Sequence, residues 1–267
     1  SDEESVDALF KEVQRLYGRL DLLFNNAGLF SPAVLLEDLS YGQWRQMVDV
    51  NLSGVFLCTR AAVLMMLKQQ AGSIINISSI AGQRVSFSNG ADYSATKAGL
   101  EGLTRHLSTE VGRYGITVNS ISPSAFTRMT EDLRSYSDED KKRRDPKWIA
   151  PVATWLVSEQ SREITGRVFQ AGNGQFAVAE GWHKGPMAEQ IMDPYQAGKV
   201  LTELARKARR NVVALAESND AVAEAENRKA VELIARFRFK TIGPTAIKST
   251  LADDESLRRR FFRGPKD

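Results

Sequence analysis

The chain has 267 residues, enough for one or two domains with a sizeable core, and its 42% apolar and 26% charged residues are those of an ordinary soluble globular protein. A net charge of +3 gives no footing for nucleic acid or an anionic membrane, and no uninterrupted apolar run approaches the roughly 18 residues of a membrane span. One cysteine, Cys58, excludes an internal disulfide framework, and two histidines, His106 and His183, with no C-x-x-C or H-E-x-x-H pattern, exclude a histidine-rich metal site. The opening SDEESVDALF has no signal-peptide character, so the expected location is cytoplasmic. Charge is unevenly spread: residues 1–195 carry 20 basic and 23 acidic groups, and residues 196–267 carry 16 and 10.

SDEESVDALFKEVQRLYG predicts a helix over about residues 3–17, with Ser1 or Asp2 as cap, acids in the first turn and Gly18 at the end. Leu20 to Phe24 form a short apolar run of the buried-strand kind. A long helix follows from about Ser40 to Gln69, then the isoleucine-rich strand GSIINIS and a loop over about residues 80–90. A helix from about Asp92 to Tyr114 leads to the strand ITVNSIS, and a helix around PKWIAPVATWLVS precedes the strand GRVFQAG. DEDKKRRD, Asp138 to Asp145, reads as a solvated loop. Strand and helix alternate throughout, which predicts an α/β fold with a parallel, doubly wound sheet. Ligands of such sheets bind beyond the carboxyl ends of the strands, where NNAG, SSIAG, SPSAFTR and AGNG stand. After about residue 186 the alternation gives way to stretches rich in alanine and charge, among them DAVAEAENRKAVELIARFRF and DDESLRRRFF. The expected organisation is an α/β domain over 1–185 and a helical, basic extension over 186–267.

Tyr93 and Lys97 in YSATK are four apart, so on a helix they share a face. A tyrosine with its ordinary pKa of about 10 is a poor base at neutral pH, and burial alone makes it worse. A neighbouring ammonium favours the phenolate, so the pair can be built for proton transfer. Taken alone the spacing is common by chance. What surrounds it decides: NNAG (Asn25 to Gly28), VNLSG (Asn51), NISS (Ser78, Ser79), YSATK, ITVNSISPSA and ITGRVFQAGNG occur in this order. Together they resemble the classical short-chain dehydrogenase/reductase family over about residues 1–180.

That resemblance implies a Rossmann-like fold and an NAD(P)-dependent oxidoreductase interconverting a secondary alcohol and a ketone. Tyr93 would be the general acid/base, Lys97 would lower its pKa and bond the nicotinamide ribose, Ser79 would hold the carbonyl, and Asn51 would anchor a water chain to Lys97. Asn25, Asn26, Ala27 and Gly28 would lie along the cofactor's adenosine half, while Pro123, Ser124 and Thr127 would flank the nicotinamide. The resemblance also implies a small-molecule alcohol or carbonyl substrate and a homodimer or homotetramer. SPSAFTRMTE and PKWIAPVATWLVSE look most like 3-hydroxyacyl-CoA dehydrogenase domains of multifunctional β-oxidation enzymes, which suggests a 3-hydroxyacyl thioester.

The sequence departs from the pattern in several places. No G-x-x-x-G-x-G or G-x-G-x-x-G turn is present, and the segment expected to hold it, with three strands and two helices, is missing ahead of SDEESVDALF. The chain therefore reads as N-terminally truncated, with NAD and NADP indistinguishable, apolar surface uncovered and an inactive remnant serving as an oligomerisation module as the alternative. Pro123-Ser124 replaces the family's Pro-Gly, and the Ser79 to Tyr93 interval is one residue long, which keeps Ser78 as a secondary candidate.

Overall fold

The structure, a computed structural model, describes residues 2–30, 34–83, 85–86, 90–131, 135–181, 185–190, 192–208 and 213–214. The chain divides into two units, Ser1–Leu215 and Ala216–Asp267, and every element below belongs to the first. The helices expected within 216–267 lie outside the described residues, as do Trp182 and His183.

Helix α1 spans Glu3–Tyr17 with Asp2 as its cap, accepting from Ser5 N, and ends on Gly18 at φ +68°. Strand β1, Leu22–Asn25, starts two residues later than expected. The long helix begins at a capping box between Ser40 and Gln43 as α2, Tyr41–Val48. It widens into a π-helical turn, Asp49–Ser53, and continues as α3, Gly54–Gln69. The continuous 29-residue stretch is long and apolar enough to cross a bilayer. One side of it faces the core, with Ala62 and Met66 fully buried against Ile74 and Val118.

Strand β2 is Gly72–Ile77; β3, Val85–Ser86, pairs in parallel with β7, Val213–Ala214. Helix α4 is Ala91–Val111 and β4 is Ile116–Ser124. Asp138–Arg143 is a short helix, α5, where a loop was expected. Ser137 and Asp140 form its capping box, and acids in its first turn and bases in its last match the helix dipole. Then come α6 (Ala150–Leu156), β5 (Val168–Gly172), β6 (Gln175–Ala179) and α7 (Pro194–Lys207).

The main sheet has the order β1-β2-β4-β5-β6. Its first four strands are parallel, as expected of a doubly wound fold, but β6 returns antiparallel to β5. The reason is local. Asn173 and Gly174 both take positive φ, +55° and +77°, the two-residue hairpin turn for which Asn-Gly is the favoured pair.

Alternation along the strands builds the two faces. Ile74, Ile116 and Val118 pack with Leu107 and Val111 of α4 on one side; Ile75, Ile77 and Ile121 pack with Val152 and Leu156 of α6 on the other. Towards the carboxyl ends the α4 face turns polar. Asn25 Nδ2 donates to Thr59 Oγ1 at 3.1 Å and to Asn76 Oδ1 at 2.9 Å. Asn76 Nδ2 donates to Thr104 Oγ1 at 2.9 Å, and the Thr104 and Ser120 hydroxyls are 2.8 Å apart. This buried, fully paired belt ties three strands to α3 and α4 just beneath the residues expected to do chemistry, and satisfied networks of this kind hold a core in one arrangement.

Candidate active site

Tyr93 and Lys97 stand on the first turns of α4, where its face meets the end of β2. Lys97 is buried, and its Nζ donates to Ile77 O at 2.7 Å. The same ammonium lies 5.6 Å from the centroid of the Tyr93 ring. Phe30, in the loop after β1, meets that ring edge-on with centroids 5.0 Å apart. The phenol is thus held between a cation and an aromatic edge, with the Ser79 side chain near enough to favour its ionised form. Ser79 stands at the end of β2 in extended backbone and caps the 3-10 turn Ile80–Gly82, its Oγ accepting from Ala81 N at 3.2 Å.

Ser78, the neighbouring candidate, faces inward. It is 2% exposed and donates to Glu101 Oε1 at 2.7 Å, with Lys97 O at 3.2 Å. Strand alternation explains the division: adjacent side chains leave on opposite sides, and Ser79 is the one turned to the phenol.

The electrostatics differ from the sequence expectation. Burial pushes the Tyr93 phenol up, and the Ser79 side chain pulls it down. The Lys97 ammonium is directed instead at the Ile77 carbonyl. Burial instead brings Lys97 itself down to about 8. Desolvation thus keeps the phenol protonated and the amine close to neutral pH, which suits a proton donor with a titratable neighbour behind it.

Asn51 is fully buried in the π-helical turn. Such a bulge, a feature often found at functional sites, lets a helical side chain leave the regular register. Its Oδ1 accepts from Leu29 N at 2.7 Å and its Nδ2 donates to Leu29 O at 2.9 Å. The amide therefore clamps the NNAG loop by both main-chain groups, where an anchor for water was expected. Gly28 lies between: a Cβ there would be 3.3 Å from Asn51 Oδ1 and 3.5 Å from Lys97 Nζ. Asn51, Lys97 and the NNAG loop meet closely at this glycine.

Of the other residues named for a cofactor, Asn26 and Ala27 are exposed and free to lie along a ligand. The Asn25 side chain is spent in the polar belt, which leaves only its backbone. Pro123 and Ser124 end β4, and Ser124 Oγ accepts from Arg144 Nη1 at 2.6 Å. Arg144 O accepts from Phe126 N at 2.7 Å, so one residue pins this loop twice. Thr127 Oγ1 accepts from Met129 N at 3.2 Å, a local turn. The replacement of glycine by Ser124 has a structural counterpart in Arg144 that sequence reading did not find; a basic residue twenty positions on carries no local signal. Cys58 is half-buried with its thiol pushed up by burial, and exposed His106 pairs with Glu110 at 2.9 Å; neither has nucleophilic or metal-binding surroundings.

The model of the family described as short chain dehydrogenase matches residues 1–138. The chain belongs to this family. The 3-oxoacyl-acyl-carrier-protein reductase FabG of Staphylococcus aureus strain Mu50 is 35% identical, the match covering 66% of this chain and 74% of that one. The acetoacetyl-CoA reductase of Acinetobacter strain RA3849 is 35% identical over 66% of this chain and 73% of its own. Among solved structures, a short chain dehydrogenase from Mycobacterium avium superposes with a TM-score of 0.70 at 36% identity, covering 80% of this chain and 74% of that one.

The short-chain dehydrogenase is accordingly a Rossmann-like α/β oxidoreductase that works with NAD or NADP. The residues described fit such a cofactor. Gly28 leaves space beside Lys97 that a side chain would fill, and the buried ammonium has donors beyond the one given to Ile77.

Proposed function

We propose that the chain interconverts a secondary alcohol and a ketone at Tyr93, and that its substrate is a 3-oxoacyl or 3-hydroxyacyl thioester. The observation that carries the reading is the Tyr93 ring backed by the buried Lys97 ammonium, with the Ser79 side chain favouring the phenolate. The thioester is supported by the relatives named for 3-oxoacyl and acetoacetyl groups. A 3β-hydroxysteroid dehydrogenase of Mediterraneibacter gnavus, 32% identical, marks a bulkier alcohol as the competing substrate.

In this reading the substrate oxygen lies between the Ser79 and Tyr93 hydroxyls. Ser79 donates to it and stabilises the charge that develops in the transition state. Tyr93 delivers its proton to the oxygen during reduction and takes it back during oxidation. Lys97 orients the ring and, released from Ile77, would bond the nicotinamide ribose; Asn51 holds the NNAG loop against which the nucleotide lies. The nicotinamide, when bound, supplies the hydride, and protein groups supply position and proton. Pro123, Ser124 and Thr127 would border the nicotinamide ring.

We take residues 1–185 as the catalytic domain and 186–267 as an extension. Phe56 and Leu64 are exposed on α3 at 48% and 60%, which supports association of copies through this helix, as homodimer or homotetramer. The second reading, an inactive module, draws on the exposed edge at β1. Titration of NADH and NADPH fluorescence, followed by turnover of acetoacetyl-CoA, separates the two. Binding of one dinucleotide and its oxidation on adding the thioester is expected; absence of binding of both overturns the enzyme reading.

A further inference from the structure

Helix α4 buries an acid that this chemistry does not use. Glu101 lies one turn beyond Lys97 and is 6% exposed. A carboxyl so placed is costly unless bonded. Its Oε1 accepts from Ser78 Oγ at 2.7 Å and from Gln83 Nε2 at 2.8 Å. Ser78 precedes Ser79, and Gln83 follows the 3-10 turn that Ser79 caps. One oxygen therefore grips both ends of the short loop on which Ser79 stands. Gln83 Oε1 accepts in turn from Gln170 Nε2 at 2.6 Å, which extends the tie to β5.

The middle of the loop is seated by Gly82. A Cβ there would lie 2.6 Å from Ala98 N and 2.9 Å from Lys97 O, so the turn rests flat on the backbone of α4. Burial pushes the Glu101 carboxyl up, and Gln83, Ser78 and Arg105 pull it back.

We propose that Glu101 is a positioning residue for Ser79: it fastens the 78–83 loop to the helix that carries Tyr93 and so fixes the serine hydroxyl within reach of the phenol. The proposal rests on the Ser79–Tyr93 pairing described above. The site needs an acceptor for two donors, which glutamine supplies through its carbonyl oxygen. Leucine fills similar space but takes away the shared acceptor, leaving Ser78 only Lys97 O and the Gln83 amide hydrogens without Glu101, which loosens the loop.

The test follows the ionisation of Tyr93 by NMR in the full chain labelled at tyrosine Cζ, its signal among six tyrosines assigned by its loss in Tyr93→Phe. Ser79→Ala removes a side chain that favours phenolate, so the midpoint moves up. Glu101→Leu is expected to produce the same shift, to add nothing to Ser79→Ala in the double variant, and to be rescued by Glu101→Gln. A Glu101→Leu midpoint equal to wild type, or a shift that adds to that of Ser79→Ala, overturns the proposal. An unmoved midpoint in Ser79→Ala itself overturns the underlying pairing. Should Glu101→Leu fail to fold, Gln83→Leu takes its place: a smaller upward shift supports the proposal, and none overturns it.

Discussion

The end of β2 and the edge at β1 are built on opposite terms. At the end of β2, Asn51, Ser78, Lys97 and Glu101 are buried and each has named partners on a different element. Along β1 and α1 several apolar side chains stand open. Phe24 is 39% exposed, Leu16 is 53% exposed, no residue of α1 is buried, and β1 is the sheet's outer strand among the described residues. Parallel strands are normally covered on both faces, so this edge has the character of an interface and the β2 end that of a finished site. Substitutions should therefore act strongly and specifically at the first region and weakly at the second.

The largest stability effect belongs to Lys97. Burial holds its pKa at about 8, against about 10.4 in an unfolded chain. Between these values the unfolded state binds the extra proton, so the folded state gains stability as pH rises from about 8 to about 10, and the penalty is fully present below pH 8. The raised phenol of Tyr93 works in the opposite sense above pH 10, which closes the window. Lys97→Met carries no such proton. Denaturant titrations across the window should show wild type gaining on the variant by about 2–3 kcal/mol. A constant difference would mean that Lys97 is solvated.

Asn51→Ala comes next, because it strips both Leu29 main-chain groups of their partner at a partly buried place. A loss of about 1–3 kcal/mol is expected in urea unfolding, with weaker dinucleotide binding as the NNAG loop loosens. Ser124→Gly, which restores the family's residue, removes one partly buried hydrogen bond to Arg144 and should cost about 0.5–1.5 kcal/mol. At the contrasting edge, Leu16→Glu and Phe24→Lys should change stability by less than about 0.5 kcal/mol, since neither side chain is buried. A larger loss would show that the edge is covered in solution, and light scattering of the variants would report by what stoichiometry.

How legible this contrast was in the sequence depends on the range of the interactions. The helix over 3–17, the Ser40 start of the long helix and the isoleucine strand were readable because caps and periodicity act within a few residues. The β6 hairpin is not among the expected elements, although Asn173-Gly174 carries its signal inside AGNG, a segment placed in the ligand crevice. The Ser137–Asp140 capping box likewise marked α5 inside a stretch read as loop. At the site, order of motifs singled out Asn51, Ser79, Tyr93 and Lys97. Their partners were out of reach: Asn51 meets Leu29 through a π-helical turn that no local pattern announces, and Glu101 meets Gln83 only because Gly82 lets two backbones touch. The opposed pKa shifts of Tyr93 and Lys97 arise from desolvation, which spacing on one helix face does not reveal.

The central claim is that the Tyr93 hydroxyl exchanges the proton with the substrate oxygen, and Tyr93→Phe tests it most directly. Acetoacetyl-CoA reduction, followed by NADPH absorbance beside fluorescence titration of NADPH, should fall by about 10²- to 10⁴-fold while dinucleotide affinity stays within about twofold. Turnover undiminished in Tyr93→Phe would contradict the account and remove the phenol from its role.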